Sequence, residues 1–299
     1  MYFDIGYDKE QLFYNLFVAL GILIITIYNF SNINKKKEFP SLLSTSAINI
    51  KKETTWRLPV ENVVAVVEIC FIIILYYLSG GVMNVLFGNV FKMSANYFGM
   101  IYFSPLLLLA GCYIIGLDPV KVFDMIAPTY PLGLIFAKTA CFFQGCCSGI
   151  EWEHGLYNFG DKAYQVPIQL IEAGWALLIF IIFILIRKKL KPGTGFPLYL
   201  ILYSSFRFCS EFLRAEPNIL GPLKLFHLLC LSGILFGTIG YIVALRFADK
   251  ISLLFTENNT VADYVCNSFD KAVVAYQKNK QSKMKKPIVH HKKKKNKKK

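Results

Sequence analysis

Charge is what this 299-residue chain has little of: 17% of its residues are Asp, Glu, Lys or Arg, against 55% hydrophobic ones. Soluble globular proteins carry about 25% charged residues, so a chain solvated over its whole surface is excluded. Acidic residues are the scarcest, 19 against 33 Lys and Arg. Mean hydropathy is +0.45. A cleavable leader is not expected either, since no basic segment precedes the first apolar run and no small-residue cleavage site follows it. A disulfide framework is absent too: of eight cysteines, Cys70, Cys112, Cys209 and Cys230 lie inside apolar runs, where Cys behaves as a small hydrophobe. No internal repeat is visible, which argues against the inverted-repeat plan of many transporters.

What the chain does have is long apolar runs, and they predict an all-α integral membrane protein. A helix needs about 20 residues to cross the hydrocarbon core, and seven stretches qualify. They run from about Gln11 to Phe30, Glu61 to Leu86, Phe98 to Gly116, Met125 to Phe143, Pro167 to Ile186, Phe196 to Leu213 and Pro222 to Phe247. Positive charge alternates between the connections. Lys35, Lys36, Lys37, Lys51, Lys52 and Arg57 follow the first span, Arg187, Lys188, Lys189 and Lys191 the fifth, and a lysine-rich tail the seventh. The connections after the second, fourth and sixth spans hold only Lys92, Lys162 and Arg214. By the positive-inside rule the amino terminus is outside and the carboxyl terminus cytoplasmic. The chain thus divides into a transmembrane domain over 1–247, a short cytoplasmic segment over 248–280 and a disordered basic tail over 281–299. A lysine block of this kind cannot bury a core. It has neither interleaved aromatics nor a folded basic module, so nucleic acid is not an expected partner, and His290 and His291 within it are incidental. Membrane lipid is.

Against that background, ionisable residues within the spans stand out, because each costs roughly 2.5–3.5 kcal/mol at membrane depth and is a functional-site candidate by default. At 1.5 Å per helical residue, Lys138, Glu172, Arg207 and His227 all fall roughly 8–10 Å below the outer interface. Four helices running in alternating directions thus bring such groups to one level, as a shared polar cavity requires. Tyr203, Arg207, Glu211 and Arg214 repeat at i, i+4, i+8 and i+11, a single helical face. Arg207 and Glu211 are spaced to pair, and a purely structural pair is the plainer reading. Two arginines, a lysine and a tyrosine at one level suit an anionic head group instead, since Arg grips phosphate with a planar fork and Lys with a point charge. Glu68 lies in the other leaflet and reads as a packing residue.

Cys141, Cys146 and Cys147, spaced C-x4-CC and followed by His154, allow three readings. Zinc sites favour closer pairs, and a disulfide needs an oxidising exterior. Close packing of a turn built on Gly145 and Gly149 is the reading adopted, with no metal and no cofactor.

At these residues the chain resembles the prolipoprotein diacylglyceryl transferase family of bacterial membrane enzymes. The segment AKTACFFQGCCSG, residues 137–149, is similar to the family's G-R-x-G-C/N-F-x-N-G-C-C-x-G. VPIQLIE, residues 166–172, resembles H-P-x-Q-L-Y-E, and Arg207, Phe208, Glu211, Phe212 and Arg214 match R-F-x-x-E-F-x-R in place. GPLKLFH approaches G-x-L-x-x-x-Q, with His227 at the Gln. The resemblance implies a multi-pass plasma-membrane enzyme that transfers a diacylglyceryl group from phosphatidylglycerol to the lipobox cysteine of a prolipoprotein signal peptide, releasing glycerol phosphate. It implies catalytic roles for Arg207 and Lys138, which would hold the phosphate, and for Glu211. Gln144, Gln169, Glu172, Tyr203, Arg214 and His227 would bind substrate or position the cations. The attacking thiol belongs to the acceptor, so the chain's own cysteines are not expected to be nucleophiles. The chain departs from the pattern at Ala137-Lys138 for Gly-Arg, at Val166 for His and at Ile171 for Tyr, and YFGMIYFSPLLLLAG lacks a family histidine. A non-catalytic paralogue that binds anionic lipid head groups is the alternative these departures leave open.

Overall fold

The computed structural model describes residues 7–36, 97–115, 118–215 and 221–256. The expected second span, Glu61 to Leu86, lies outside them, as do Glu68, Cys70 and the lysine tail. The described elements are α1 (Tyr7–Lys36), α2 (Tyr97–Ile115), α3 (Pro119–Ile126), α4 (Thr129–Gln144), β1 (Glu151–Asn158), β2 (Ala163–Gln165), α5 (Ile168–Ile186), α6 (Gly195–Glu211) and α7 (Leu225–Thr256). The protein is mostly helical. Among the described residues four stretches are long and apolar enough to cross a membrane: Glu10–Asn29, Pro119–Gln144, Ile168–Ile186 and Leu225–Phe255. Their apolar side chains face outward as well as in. Leu177, Leu178, Ile181 and Leu185 of α5 and Leu231, Leu235, Phe236 and Ile239 of α7 are exposed, a belt that hydrocarbon rather than water solvates. This is a membrane protein.

Several boundaries differ from those the hydropathy predicts, each for a local reason. The apolar stretch expected to begin at Met125 begins at Pro119, where Asp118 caps α3 by accepting the Val120 N–H at 3.0 Å and proline suits the first helical turn. It is two helices rather than one. Pro128 has no N–H to donate, and the Thr129 hydroxyl closes the joint by donating to the Ile126 carbonyl at 2.6 Å. Helix α6 ends at Glu211, short of the expected Leu213, because Leu213 and Arg214 bond back to Ser210 and Glu211 in a tightened last turn. Helix α7 continues through Thr256, past the expected end at Phe247.

A further difference is a two-stranded antiparallel sheet, β1–β2, where a wholly helical chain was expected. Tyr157 pairs with Tyr164 and Asn158 with Ala163. The segment EWEHGLYNF carries Trp, Tyr and Phe, residues that favour strands. Lys162 (φ 54) turns the chain in the left-handed region. The hairpin is stitched to the helices at one crowded point: the Gly149 N–H donates to the Val166 carbonyl at 3.1 Å and the Ile150 N–H to the Leu213 carbonyl at 2.9 Å. A Cβ at Gly149 would lie 2.6 Å from the Val166 oxygen and 2.7 Å from the Leu213 oxygen. Only glycine admits that approach.

The core lies around α6. Tyr130 and Tyr199 pack at 5.3 Å and Tyr130 and Phe196 at 5.1 Å, with Ile179, Phe183 and Cys230 buried beside them. Helix α6 meets α7 along Gly233 and Gly237, a G-x-x-x-G spacing. A Cβ at Gly233 would stand 2.3 Å from Ser204 Oγ, and one at Gly237 2.8 Å from Ile201 Cγ1. In lipid, helices associate by such close backbone approach, since apolar burial supplies no driving force between them. Replacing Gly233 with Leu overpacks this contact, at about 1–3 kcal/mol, so the detergent-solubilised variant unfolds at a lower temperature in a thermal scan. An unchanged midpoint would contradict the close packing.

Candidate functional site

Lys138, Glu172, Arg207, Glu211 and Arg214 come from α4, α5, α6 and the turn after α6, and they meet. The end of α4 brings Lys138 in. That helix stops at Gly145 (φ 71), a left-handed C-cap whose N–H bonds back to the Phe142 carbonyl at 3.1 Å. The beginning of α5, placed by Pro167, brings Glu172 in one turn later. The last turns of α6 supply Arg207 and Glu211, and the tightened turn beyond them points Arg214 back at the same place.

Glu172 is the hub. Its Oε2 lies 2.6 Å from Lys138 Nζ and 2.9 Å from Arg214 Nη2. Its Oε1 accepts from Arg207 Nη1 at 2.5 Å and from Arg214 Nη2 and Nε at 2.9 and 3.3 Å. Arg207 then bridges outward, Nη2 to Glu211 Oε2 at 2.7 Å. Glu172, Arg207, Glu211 and Arg214 are at most 5% exposed. Ion pairs so buried offset the cost of desolvation only when the geometry is good and further hydrogen bonds complete it. Here one carboxylate receives a two-nitrogen grip from Arg214 and single contacts from two other cations. Arg207 also lies over the Phe226 ring, 5.8 Å from its centroid, a cation–π distance.

The remaining predicted residues sort themselves around this hub. Gln169 is fully buried; its amide donates to the Cys146 carbonyl at 2.6 Å, and its Oε1 has no partner among the described residues. His227 is fully buried between Phe208 and Phe212, ring centroids 4.9 and 4.3 Å away. Its Nδ1 accepts the Lys224 backbone N–H at 2.9 Å, so a neutral ring carries its proton on Nε2, which is buried with no partner among the described residues. The ring therefore presents a donor, and a base role for His227 is not what this geometry offers. Tyr203 is buried one turn before Arg207 and stacks on Tyr199 at 5.9 Å. Gln144 does not join the ion cluster among the described contacts; its amide donates to Gln11 of α1 at 3.3 Å. His154 stands on exposed β1, 3.4 Å from Glu153, apart from the three cysteines.

Sequence reasoning missed Lys224. Counted as the first turn of an apolar span, it instead precedes α7 and is 6% exposed. Its Nζ donates to the Glu211 and Arg214 carbonyls at 2.8 and 2.5 Å, so one ammonium completes the end of α6 that carries three of the site's ionic groups. A cation at a helix C-terminus complements the exposed carbonyls there. The available signal was a lysine ten residues beyond an R-x-x-x-E-x-x-R helix end.

Residues 3–243 match the sequence model of the prolipoprotein diacylglyceryl transferase family. The chain belongs to that family. It is similar to a phosphatidylglycerol–prolipoprotein diacylglyceryl transferase of Clostridium kluyveri, 31% identical over 159 residues that make up 48% of this chain and 61% of the relative. A Gloeobacter violaceus protein of the same name is 32% identical over 152 residues, 44% of this chain and 55% of that one. One from Staphylococcus saprophyticus is 32% identical over 141 residues, 43% and 51% of the two chains. The chain thus spans between about half and three fifths of the length of these curated relatives.

Removing the hub should cost more than removing any spoke. Glu172→Gln leaves buried cations without their shared carboxylate, a change of about 3–5 kcal/mol, visible as a large drop in the thermal midpoint of the purified protein. Lys224→Met should lower the midpoint by less, because it strips two helix-end carbonyls of a donor, worth about 1–3 kcal/mol. Equal effects would mean that Glu172 does not organise the cluster.

Proposed function

We propose that the cluster around Glu172 binds the phosphate of phosphatidylglycerol and that the chain transfers the lipid's diacylglyceryl group to the lipobox cysteine of a prolipoprotein at the plasma membrane. The observation that carries this reading is Glu172 gathering Lys138, Arg207 and Arg214 at one buried point in a chain of this family. In the reaction a carbon–sulfur bond forms between the acceptor thiol and the diacylglyceryl carbon. The bond from that carbon to the phosphate oxygen breaks, glycerol phosphate departs with the electron pair, and the thiol gives up its proton.

The leaving phosphate gains negative charge as the bond opens. Fixed cations at that point lower the barrier because they are already oriented and sit out of water. Arg207 offers the phosphate a planar donor fork and Lys138 a compact charge, with Glu172 and Glu211 keeping both in register. Arg214 and Tyr203 border the phosphate. The Gln169 Oε1 acceptor and the His227 Nε2 donor suit the polar glycerol head, and Gln144 lines the outer approach.

This reading takes seven spans, with the amino terminus outside and the lysine-rich carboxyl terminus in the cytoplasm. It puts the hairpin at the outer membrane–water interface, where the exposed Trp152, Tyr157 and Tyr164 have the amphipathic character of an interfacial aromatic belt. The acceptor is a prolipoprotein signal peptide, and no nucleic acid takes part.

The test is transfer of label from phosphatidylglycerol to a lipobox peptide in proteoliposomes. Arg207→Gln and Lys138→Gln should each slow transfer about 10²–10³-fold, the usual loss for one preorganised charge-stabilising donor, while Lys138→Arg keeps it. Transfer at the parent rate in both Gln variants would end the phosphate-site reading. Lipid binding without any labelled peptide, in the unmodified chain, would make it a lipid binder instead.

A further inference from the structure

The sulfur atoms of Cys141, Cys146 and Cys147 all lie within 4.8 Å of one another, and all three are free thiols. The linear spacing C-x4-CC conceals this. Cys141 is in the last turn of α4, and two left-handed residues follow it, Gly145 at φ 71 and Cys147 at φ 58. Left-handed backbone is uncommon outside glycine, and here it curls the chain so that two adjacent cysteines reach the helix cysteine together. The curl is tied down on both sides. The Cys146 N–H donates to the Cys141 carbonyl at 3.2 Å. The Gly145 carbonyl accepts from Asn158 Nδ2 at 3.1 Å, and the Cys146 carbonyl accepts from Gln169. The three sulfurs are therefore gathered by a braced loop rather than by chance proximity of flexible side chains.

We infer that Cys141, Cys146 and Cys147 form a three-thiolate site for a thiophilic closed-shell cation, Cu⁺ or Zn²⁺, at the outer end of α4. Thiolate donors select these ions over the hard, oxygen-seeking ones. An ion held in the plane of three sulfurs by bonds of about 2.3 Å sets those sulfurs about 4 Å apart, so the observed cluster needs little contraction. Cys146 and Cys147 follow the apolar part of α4, and Cys147 is exposed, which gives an ion a route in from solvent. Each metal–sulfur bond then sends a thiol proton to solvent, and binding strengthens as pH rises. The bound ion would clamp the end of α4, which carries Lys138, to the loop that holds Gln169. The site stands whether or not the transfer reaction proposed above is right.

The test uses the full chain, reduced and reconstituted in nanodiscs, and incubated separately with Zn²⁺ and with Cu⁺ kept reduced. After desalting, the metal per protein is measured by mass spectrometry. About one equivalent of either ion should be retained, and which arm retains it assigns the ion. In competition with a chelator, Cys147→Ser should weaken retention at least tenfold, whereas Cys209→Ser, an exposed thiol on α6, should leave it unchanged. In the unmodified protein, the bound ion should also slow alkylation of the peptide that contains Cys146 and Cys147 at least tenfold, a readout that needs no variant to fold. Retention of neither ion overturns the site. So does retention that Cys147→Ser leaves intact, or alkylation that the ion does not slow.

Discussion

A single carboxylate, that of Glu172, holds three cations from three different parts of the chain at membrane depth, and the arrangement of the helices around it follows from that demand. In a low-dielectric interior an isolated Lys or Arg is expensive, and attraction between opposite charges is strong only at contact distance. Each helix that carries one of these charges is therefore constrained in rotation and in depth. Helix α4 must present Lys138 toward α5, α6 must turn Arg207 to the same side, and the chain after α6 must double back so that Arg214 arrives as well. Apolar packing alone would leave all three rotations open, because a lipid-facing helix loses little by turning.

Two further features support that focus from opposite sides. On one, the small residues Gly233 and Gly237 let α7 lie close along α6, and Lys224 at the head of α7 donates to the carbonyls where α6 ends. On the other, the hairpin bonds to the loop after α4 and to the turn after α6 at Gly149, where no side chain fits. The end of α6 is thus gripped by a buried ammonium and by a β-bridge while its side chains hold the ion cluster. Positioning of this kind matters for phosphate chemistry, where fixed orientation of charge does most of what a protein contributes.

Much of the site could be read from the sequence. Lys138, Glu172, Arg207 and Glu211 are conspicuous because each interrupts an apolar run, and Arg214 because it lies on the same helical face just beyond one. Helical periodicity and the rise per residue then bring most of them to one level without any knowledge of contacts. Lys224 could not be found that way. It stands beside a proline and a glycine at the edge of an apolar run, where a lysine is ordinary, and its importance lies in two carbonyls on another helix. The pairing of His227 Nδ1 with the Lys224 N–H was equally hidden, and it leaves the neutral ring a donor at Nε2. Gln144 lay close in sequence to the cysteine turn, yet its amide meets Gln11 on α1. The boundary at Ala127–Pro128 and the hairpin after Gly149 were obscured for a different reason: hydropathy measures residence in lipid, and it is silent on how a chain bends or pairs.

By itself the sequence determined that the chain is a membrane protein and which polar residues interrupt its apolar runs, because the transfer free energy of a residue into hydrocarbon is a local property that adds along a run. The tertiary structure alone decided the pairing. It made Glu172 the common partner of Lys138, Arg207 and Arg214, brought Cys141, Cys146 and Cys147 into one cluster, and set Lys224 on the end of α6. Those are contacts between segments distant in the chain or curled by left-handed residues. Their energies depend on distances of a few ångströms that no window along the sequence contains.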